Sequence, residues 1–475
     1  MGSNLSLYCI DILLLYKLNG DPMKIPYAKQ MPFIVIGLSF LQPAMTTIQY
    51  QNMCLIATAL ILGGKMNLTQ ISYMLLKEKC VSTLSHFLSD AKICTAEMEN
   101  LYVLNTLKTY NINNGYFIID DTMKHHTKFC KWIHGVFLLF DHVFNTNLKV
   151  VCIVVLYYSD GALIKFPISK RIFMKEKGKM PWQKGKTAEF KTKNQLAVDM
   201  IEWALKMGFP KNCTVLADSW FGVGPFVQEL RRLGLSYILE IKPSYNVRVK
   251  CEEPKLTKTG KLAKNQYDLI LLPKFFDSVG SVVKCGFAPD KETGQPLKTM
   301  FITKMANIRL NSIPGKHRVI CSFCPSKNTV KYLLTNELTW EAVKIISSYA
   351  HRWVIEEFFR NAKQLTDMEG ATVRSEQGVT IALYLVFYID FLVHNEIYER
   401  SIAEELPREP ITVPSVIRRL QYENMVAFIE RVQNDEDFVK RWIMVTKQNI
   451  DRNRKRHKKL VTIGEPESCA PQKAA

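Results

Sequence analysis

Helical and extended patterns alternate regularly in the middle of this chain, and that order limits the possible folds. The alternating segments are a helix over Asn194–Met207, a strand over Cys213–Ala217, a helix over Gly224–Leu233 and a strand over Ser236–Ile241. Strands separated by helices form parallel or mixed sheets, with the helices packed on the faces of the sheet. The sequence therefore predicts an α/β fold with a mixed sheet.

Two apolar segments run directly into acidic residues. Tyr116–Ile119 is followed by Asp120 and Asp121, and Thr214–Ala217 is followed by Asp218. Carboxylates at the carboxyl ends of strands lie where open α/β sheets commonly place their functional sites. Acids also begin turns and cap helices, so either segment alone has an ordinary structural explanation.

A helical segment near residue 350 carries a second set of charged residues. Tyr349, Arg352, Glu356 and Lys363 fall within an arc of about 60° if they share one α-helix. An ion pair between Arg352 and Glu356 on a solvated face is the ordinary alternative. With the two acidic strand ends, however, Glu356 completes a set of three acids.

Three such acids could hold a pair of divalent metal ions. Paired metals activate a water or hydroxyl and stabilise the leaving oxygen of a phosphodiester. Oxygen ligands favour magnesium, or manganese in its place. The pattern therefore indicates phosphodiester chemistry.

These motifs carry a family resemblance. Tyr349, Arg352, Glu356 and Lys363 reproduce the spacing Tyr-x2-Arg-x3-Glu-x6-Lys without a break. Together with the two acidic strand ends in their order along the chain, they make the chain resemble the DDE transposases of the insertion-sequence-four group. The resemblance extends over roughly residues 55–395.

The resemblance implies an RNase H-like catalytic domain with a β-rich insertion, plus helical N-terminal and C-terminal parts. The implied catalytic residues and metal ligands are Asp218, Glu356 and either Asp120 or Asp121, binding two Mg²⁺ ions for which Mn²⁺ substitutes. Neighbours on a strand point to opposite faces, so only one of that pair can face the metals. Asp120 is favoured because it directly follows the apolar run.

The resemblance also implies contacts with DNA. Arg352 and Lys363 would bind phosphate, and Tyr349 would either donate a hydrogen bond to phosphate or position Glu356. An aromatic residue of the insertion would hold a base near the DNA end. Tyr332 is the nearest aromatic to that position, although the expected position itself is Lys331.

The implied function is cut-and-paste transposition: metal-dependent cleavage of double-stranded DNA at terminal inverted repeats, followed by strand transfer into target DNA. A hairpin intermediate would follow from the resemblance alone. The alternatives are an RNase H-like nuclease without strand transfer, and an inactive, domesticated relative that only binds DNA. A homodimer in the synaptic complex, no small-molecule substrate and a cytoplasmic, nucleoid-associated location complete the expectation.

The charge of the chain agrees with a polyanionic partner. Lys and Arg number 63 against 44 Asp and Glu, a net charge of +19. Basic residues concentrate in Lys165–Lys193, interpreted as loops, and in Arg452–Lys459. Both segments fit phosphate contacts. A membrane partner is not expected, because no uninterrupted apolar stretch reaches the roughly 18–20 residues of a spanning helix.

Five segments are predicted along the chain. They are a mainly helical DNA-binding domain over 1–112, the first part of the catalytic domain over 113–245, a β-rich insertion over 246–338, the remainder of the catalytic domain with the helix of Tyr349 to Lys363 over 339–403, and a helical, basic C-terminal region over 404–475.

Helix starts are predicted at Asn67 and at Ser89-Asp90. The first of these helices and Val81–Leu88 form either a helix-turn-helix or two ordinary packed helices. Trp220 and Phe221, beside Asp218, form either a positioning platform or ordinary packing, and packing is favoured.

Overall fold

A computed structural model of the chain describes most of residues 25–464. The gaps are residues 66, 127–129, 142–144, 176–189, 257–258, 264–265, 281, 287–299, 371–372 and 404–410. Much of the basic stretch around Lys177, Lys179, Lys184 and Lys186 therefore lies outside the described residues. So do the side chains of residues 454–459 in the basic tail.

The helices are α1 (Pro32–Gly37), α2 (Thr47–Ile61), α3 (Leu68–Met74), α4 (Val81–Ser89), α5 (Thr95–Thr109), α6 (Lys193–Met207), α7 (Gly224–Arg232), α8 (Leu272–Ser278), α9 (Ala342–Ala350), α10 (Trp353–Leu365), α11 (Glu376–Ala403), α12 (Val413–Asn434) and α13 (Glu436–Gly464). The strands are β1 (Gly115–His126), β2 (Phe137–Asp141), β3 (Thr146–Ser159), β4 (Lys165–Phe173), β5 (Cys213–Ala217), β6 (Tyr237–Ile241), β7 (Asn246–Lys250), β8 (Tyr267–Leu271), β9 (Val283–Gly286), β10 (Met300–Arg309), β11 (Lys316–Cys324) and β12 (Thr329–Thr335).

The chain divides into two compact units. One comprises residues 1–92, 365–372 and 414–475, and is called the helical unit here; the other comprises 93–364 and 373–413, and is called the sheet unit. The described core of the helical unit packs Phe428, Phe438 and Trp442 together, with ring centroids of Phe428 and Trp442 5.0 Å apart. Buried aromatic surface of this kind stabilises small helical assemblies.

Local capping explains where the helices of the helical unit begin. The side chain of Asn67 accepts a hydrogen bond from the Thr69 N–H at 3.0 Å, so the predicted helix start at Asn67 is confirmed. The predicted start at Ser89-Asp90 is wrong, because α4 ends at Ser89 and the next helix begins at Thr95. Ser and Asp side chains can hydrogen-bond to backbone groups at either end of a helix. The sequence Ser89-Asp90 alone therefore did not show whether a helix begins or ends there.

The sheet unit contains a ten-stranded mixed sheet. Its strands follow the order β2-β3-β1-β5-β6-β12-β11-β10-β9, and β4 also pairs with β3. β1, β5 and β6 run parallel to one another, whereas β3 and β12 flank them antiparallel. The mixed α/β fold predicted from the sequence is therefore confirmed.

Strands of the 246–338 segment continue this sheet beyond β6. β12 pairs antiparallel with β6, with Tyr332 opposite Ile241, and β11, β10 and β9 follow outward. β7 and β8 form a separate two-stranded sheet, and α8 interrupts the extended pattern. The sequence predicted that this segment is rich in strands. Its pairing with β6 could be seen only in the folded chain.

Helix α11 is the one described helix long and apolar enough to span a membrane by composition, yet 89% of its apolar window is buried inside the protein. Asp390, within that window, accepts a hydrogen bond from the Tyr157 hydroxyl at 3.2 Å. The helix therefore gives no indication of a membrane, and its apolar sequence reflects burial in the sheet unit.

The first nine residues of the basic stretch are not the loop predicted for them. Residues 165–173 form β4, and Lys170 is only 4% exposed, with its Nζ 3.5 Å from the Tyr384 ring centroid. Lys170 therefore does not contribute to a phosphate-binding surface. Composition reported the charge of this segment correctly but carried no information about its exposure.

Candidate active site

The parallel register brings three acids into one row across the central strands, which we call the acidic edge because the parallel pairing of β1, β5 and β6 ends there. Ile119 in β1 pairs with Ala217 in β5, which pairs with Leu239 in β6. The next residue of each chain segment is acidic, namely Asp120, Asp218 and Glu240. Residues in register on neighbouring parallel strands point to the same face, so these side chains share one environment.

Both carboxylate oxygens of Asp120 accept hydrogen bonds. Its Oδ2 accepts a hydrogen bond from Arg352 Nη1 at 3.1 Å, and its Oδ1 accepts one from the Asp121 N–H at 2.8 Å. Burial and the charge of Asp218 raise the pKa of Asp120 to about 7, against the opposing effect of Arg352. Burial also raises the pKa of Asp218. Two carboxylates with raised pKa values in one place favour a bound cation.

Asp121 points into different surroundings. Its Oδ2 lies 2.8 Å from Lys193 Nζ, and it accepts a hydrogen bond from the Cys152 thiol at 3.3 Å. Lys193 and Asp121 are both largely buried, at 12% and 13% side-chain exposure. Burial, followed by the charge of Asp121, raises the pKa of the Cys152 thiol. The charge of Asp121 is therefore balanced by an ion pair away from Arg352.

The four residues that reproduce the family spacing do not lie on one continuous helix. The arc predicted from the sequence assumed that they do. Tyr349 is in α9, Glu356 and Lys363 are in α10, and Arg352 stands in the break between the two helices. There the Arg352 N–H bonds the Tyr349 carbonyl at 3.0 Å and the Ile355 N–H bonds the Arg352 carbonyl at 3.3 Å. These i→i−3 bonds tighten the backbone without changing the side-chain pattern, so periodicity could not detect the break.

Arg352 connects the sheet edge to α10. One guanidinium nitrogen donates to Asp120 and the other to Glu356 Oε1. The side chain of Arg352 is 12% exposed and that of Glu356 is 31% exposed. A planar guanidinium can hold two carboxylates in a fixed relation, which a lysine cannot do. The structure thus brings together Asp120, Asp218, Arg352 and Glu356.

Tyr349 identifies two residues that the sequence analysis missed. Its hydroxyl donates to Glu240 Oε2 at 3.0 Å, and Lys331 Nζ lies 2.7 Å from the same oxygen. Burial and the charge of Glu240 raise the pKa of Tyr349. Glu240 had a signal in the sequence, since Tyr237-Ile-Leu-Glu240 is a third strand with an acid near its carboxyl end. Lys331 was named only as the position expected for an aromatic, and its contact with Glu240 was not predicted, because its strand pairs with β6 only in the folded chain.

The remaining predicted residues lie further from the acids. Lys363 Nζ is 3.5 Å from the carbonyl oxygen of Met123 in β1. Tyr332 is 7% exposed, and its ring centroid lies 6.0 Å from that of Phe276. Its neighbour Lys331 points to the opposite face and reaches Glu240 instead. In this structure the Tyr332 ring is therefore not presented to a base.

Three carboxylates near Arg352 are candidate ligands for a divalent cation. Asp120, Asp218 and Glu356 offer carboxylate oxygens only, the ligands that hard cations prefer. Among the described residues, no three His, Cys, Asp or Glu side chains are grouped closely enough to hold a metal ion. The guanidinium of Arg352 lies between Asp120 and Glu356. The donors therefore fit a divalent cation in chemistry, while Arg352 supplies the positive charge in this arrangement.

Comparison with protein families identifies two related regions. A family model described as "DDE superfamily endonuclease" matches residues 45–268, which include Asp120 and Asp218. A second, described as "Transposase DDE domain", matches residues 177–389, which include Asp218 and Glu356. No curated protein matches the sequence. Families of this kind generally use divalent metal ions and act on DNA.

The two matched regions overlap, and between them they contain every acid of the edge described above. The mixed α/β fold agrees with the nuclease domain that these families share. The fold, the acidic edge and the two family matches therefore support a DDE transposase, a nuclease enzyme whose substrate is DNA.

Proposed function

We propose that this protein is a cut-and-paste DNA transposase of the insertion-sequence-four group, which cleaves at terminal inverted repeats and transfers the freed ends into target DNA. One observation carries the proposal. The register of β1 and β5 places Asp120 and Asp218 at one sheet edge, and Arg352 connects Asp120 to Glu356. An RNase H-like catalytic domain is part of the proposal, supported by this acidic edge on parallel central strands.

Within this proposal, Asp120, Asp218 and Glu356 are the residues that would hold two divalent ions, Mg²⁺ or Mn²⁺. Asp121 is assigned a structural role because Lys193 already balances its charge. When bound, such a metal pair supplies an activated water or hydroxyl and stabilises the leaving oxygen of a phosphodiester. Oxygen-only donors support the choice of magnesium or manganese over softer metals.

Arg352, Tyr349 and Lys363 would prepare the site for DNA. Arg352 holds Asp120 and Glu356 in one orientation, and its guanidinium suits a DNA phosphate as well. Tyr349 donates a hydrogen bond to Glu240, the third acid of the row, which makes it a positioning residue in this proposal. Lys363, above the end of β1, would contribute a point charge to phosphate binding.

The wider expectations belong to the same proposal. Helices α3 and α4, separated by a short break, would act as the helix-turn-helix that reads the terminal repeats in a major groove. A homodimer would bring two DNA ends together. The cytoplasmic, nucleoid-associated location follows from DNA as the substrate, and the net charge of +19 supports phosphate contacts.

The test is an in vitro cleavage assay on linear DNA carrying the element's own ends, with magnesium or with EDTA. Glu356→Gln is compared with wild type and with a matched control, Glu357→Gln. Glu357 is the next residue of the same helix and lies 3.7 Å from Lys165 Nζ instead of Arg352. We expect cleavage to require magnesium, to disappear in Glu356→Gln, and to persist in Glu357→Gln, with DNA binding retained by all three proteins.

Other outcomes separate the alternatives. Equal cleavage by Glu356→Gln and wild type would refute the catalytic assignment. Cleavage without joined products would favour an RNase H-like nuclease that lacks strand transfer. Binding of the ends without cleavage by any variant would favour an inactive, domesticated relative that only binds DNA.

A further inference from the structure

A cavity of about 410 Å³ lies in the sheet unit. Residues of β4, α5, α6 and α11 line it. Among the described residues that line the cavity, none belongs to the acidic edge. Its volume is in the range of sites that bind small molecules, and such sites combine apolar surface with a few polar groups. The cavity is therefore a candidate ligand site apart from the proposed catalytic acids.

Lys170 lines this cavity, and no described residue accepts a hydrogen bond from its side-chain nitrogen. The residue is 4% exposed, and Nζ lies 3.5 Å from the Tyr384 ring centroid. The neighbouring acid Glu99 instead accepts hydrogen bonds from Arg171 Nη1 at 2.9 Å and from Ser169 Oγ at 2.5 Å. An ammonium group has three N–H donors, and a buried donor without an acceptor costs free energy. This arrangement therefore favours the neutral amine.

The electrostatic surroundings of Lys170 act in the same direction. Burial lowers the pKa of Lys170 to about 7, helped by the charge of Arg171 and opposed by that of Glu99. An ordinary lysine is protonated at neutral pH, whereas roughly half of a group with this pKa carries a free lone pair there. A lysine amine that is desolvated and next to another cation is an activated nucleophile. Lys170 therefore has the character of a lysine that reacts with a carbonyl group.

The other lining residues indicate what kind of molecule fits. With Lys170 neutral, the charged side chains of the lining are two cations and three acids, namely Arg171, Lys191, Glu99, Asp199 and Glu376. Lys191 Nζ is also paired with Asp199 Oδ2 at 2.7 Å. The lining therefore has no excess positive charge to select an anion. Ile172, Leu196 and the Tyr384 ring supply apolar surface, which favours an uncharged, partly apolar compound.

We propose that Lys170 is a covalent binding site for a small, uncharged aldehyde that enters this cavity. The lone pair of Nζ attacks the carbonyl carbon as the C=O π bond breaks, and a proton moves from nitrogen to oxygen to give a carbinolamine. The hydroxyl group then leaves with the remaining amine proton as water, and a C=N bond to Lys170 forms. No oxidant, reductant or metal is needed. The site does not depend on the proposed action on DNA.

The experiment uses benzaldehyde as the probe. Full-length protein is incubated at about pH 8, where Lys170 is mostly neutral. Sodium cyanoborohydride reduces each imine to a stable secondary amine, and peptide mass spectrometry locates the modified lysines. The proteins are wild type, Lys170→Met, Lys165→Met and Ala96→Trp. Lys165, with 28% side-chain exposure, is a matched control in the same strand. Ala96 is an exposed residue that lines the cavity, so tryptophan there narrows it and keeps Lys170.

We expect wild-type Lys170 to be modified roughly 10-fold faster than Lys165, because an ordinary lysine is almost fully protonated at this pH. Lys170→Met should remove this product alone, and Lys165→Met should leave it unchanged. Ala96→Trp should slow modification of Lys170 roughly 10-fold and leave that of Lys165 unchanged.

Two results would overturn the proposal. One is modification of Lys170 no faster than that of Lys165, or modification of Lys170 only in urea, which would show a sealed structural lysine. The other is an unchanged rate at Lys170 in Ala96→Trp, which would show that the aldehyde does not occupy the cavity. The first comparison needs wild type only, so a variant that fails to fold does not remove the test.

Discussion

Two clusters of charged side chains in the sheet unit differ in how their charges are arranged. Asp120 within β1 and Asp218 just after β5 are close enough for the charge of Asp218 to raise the pKa of Asp120. On β4, Arg171 Nη1 lies 2.9 Å from Glu99 Oε1, and Lys170 is buried beside them. The first cluster gathers several acids around the single arginine Arg352, whereas the second pairs Glu99 with Arg171 beside the buried Lys170.

The difference separates a site from a structural network. Like charges held together cost folding free energy, so such a cluster marks a place where a ligand or cation is used. Opposite charges buried as a hydrogen-bonded group need each partner to stay in place. Ser169 Oγ donates to the same Glu99 oxygen at 2.5 Å, which completes the second group. Changes at the first cluster should therefore affect activity, and changes at the second should affect stability.

The largest expected effect tests the first cluster with two neighbouring residues. Asp120→Asn should reduce DNA cleavage by roughly a thousand-fold or more, because it removes an acid from the edge. Asp121→Asn should instead lower the free energy of unfolding by about 3 kcal/mol, because it leaves Lys193 buried without its ion pair. Cleavage assays and urea unfolding of both variants measure the contrast. Loss of cleavage in folded Asp121→Asn with full activity in Asp120→Asn would reverse the assignment.

A smaller effect is expected in the second cluster. Glu99→Gln removes the negative charge that faces Arg171 and Lys170, and should lower the free energy of unfolding by about 3 kcal/mol. Glu97→Gln is the matched control, since Glu97 is exposed in the first turn of the same helix, α5. It should cost about 0.5 kcal/mol. Urea denaturation measures the free energy of unfolding of both variants. An equal decrease in the two would contradict the structural role of Glu99.

The smallest effect is a pH dependence at Lys170. Burial lowers the pKa of Lys170 from 10.5 to about 7, with Glu99 opposing the shift. Above pH 7 the unfolded chain therefore binds more protons at this residue than the folded chain does, so stability rises with pH until the unfolded pKa is reached. Wild type should gain about 1 kcal/mol over Lys170→Met across the first pH unit above 7. If the free energies of unfolding of wild type and Lys170→Met change with pH in the same way, Lys170 does not titrate as a buried lysine.

Much of the fold could be predicted from local pattern. The strand Cys213–Ala217 has the predicted bounds, and the neighbouring helices and strand differ by one residue. Asp218 directly follows β5, as predicted, whereas Asp120 lies in the middle of β1, which continues to His126 because it pairs with β3 beyond the acids. Periodicity failed where a backbone change left the side-chain pattern intact, as at the break between α9 and α10.

The sequence by itself determined the residue types of the site, the order of the acids along the chain and the mixed α/β fold. Only the tertiary structure decided which acids meet. Asp120 and Asp121 are adjacent in sequence, yet one reaches Arg352 and the other Lys193. The contact between Lys331 and Glu240 and the exposure of Trp220 became visible only in the folded chain. Local interactions fix helices and strands, whereas register and burial depend on partners distant in sequence.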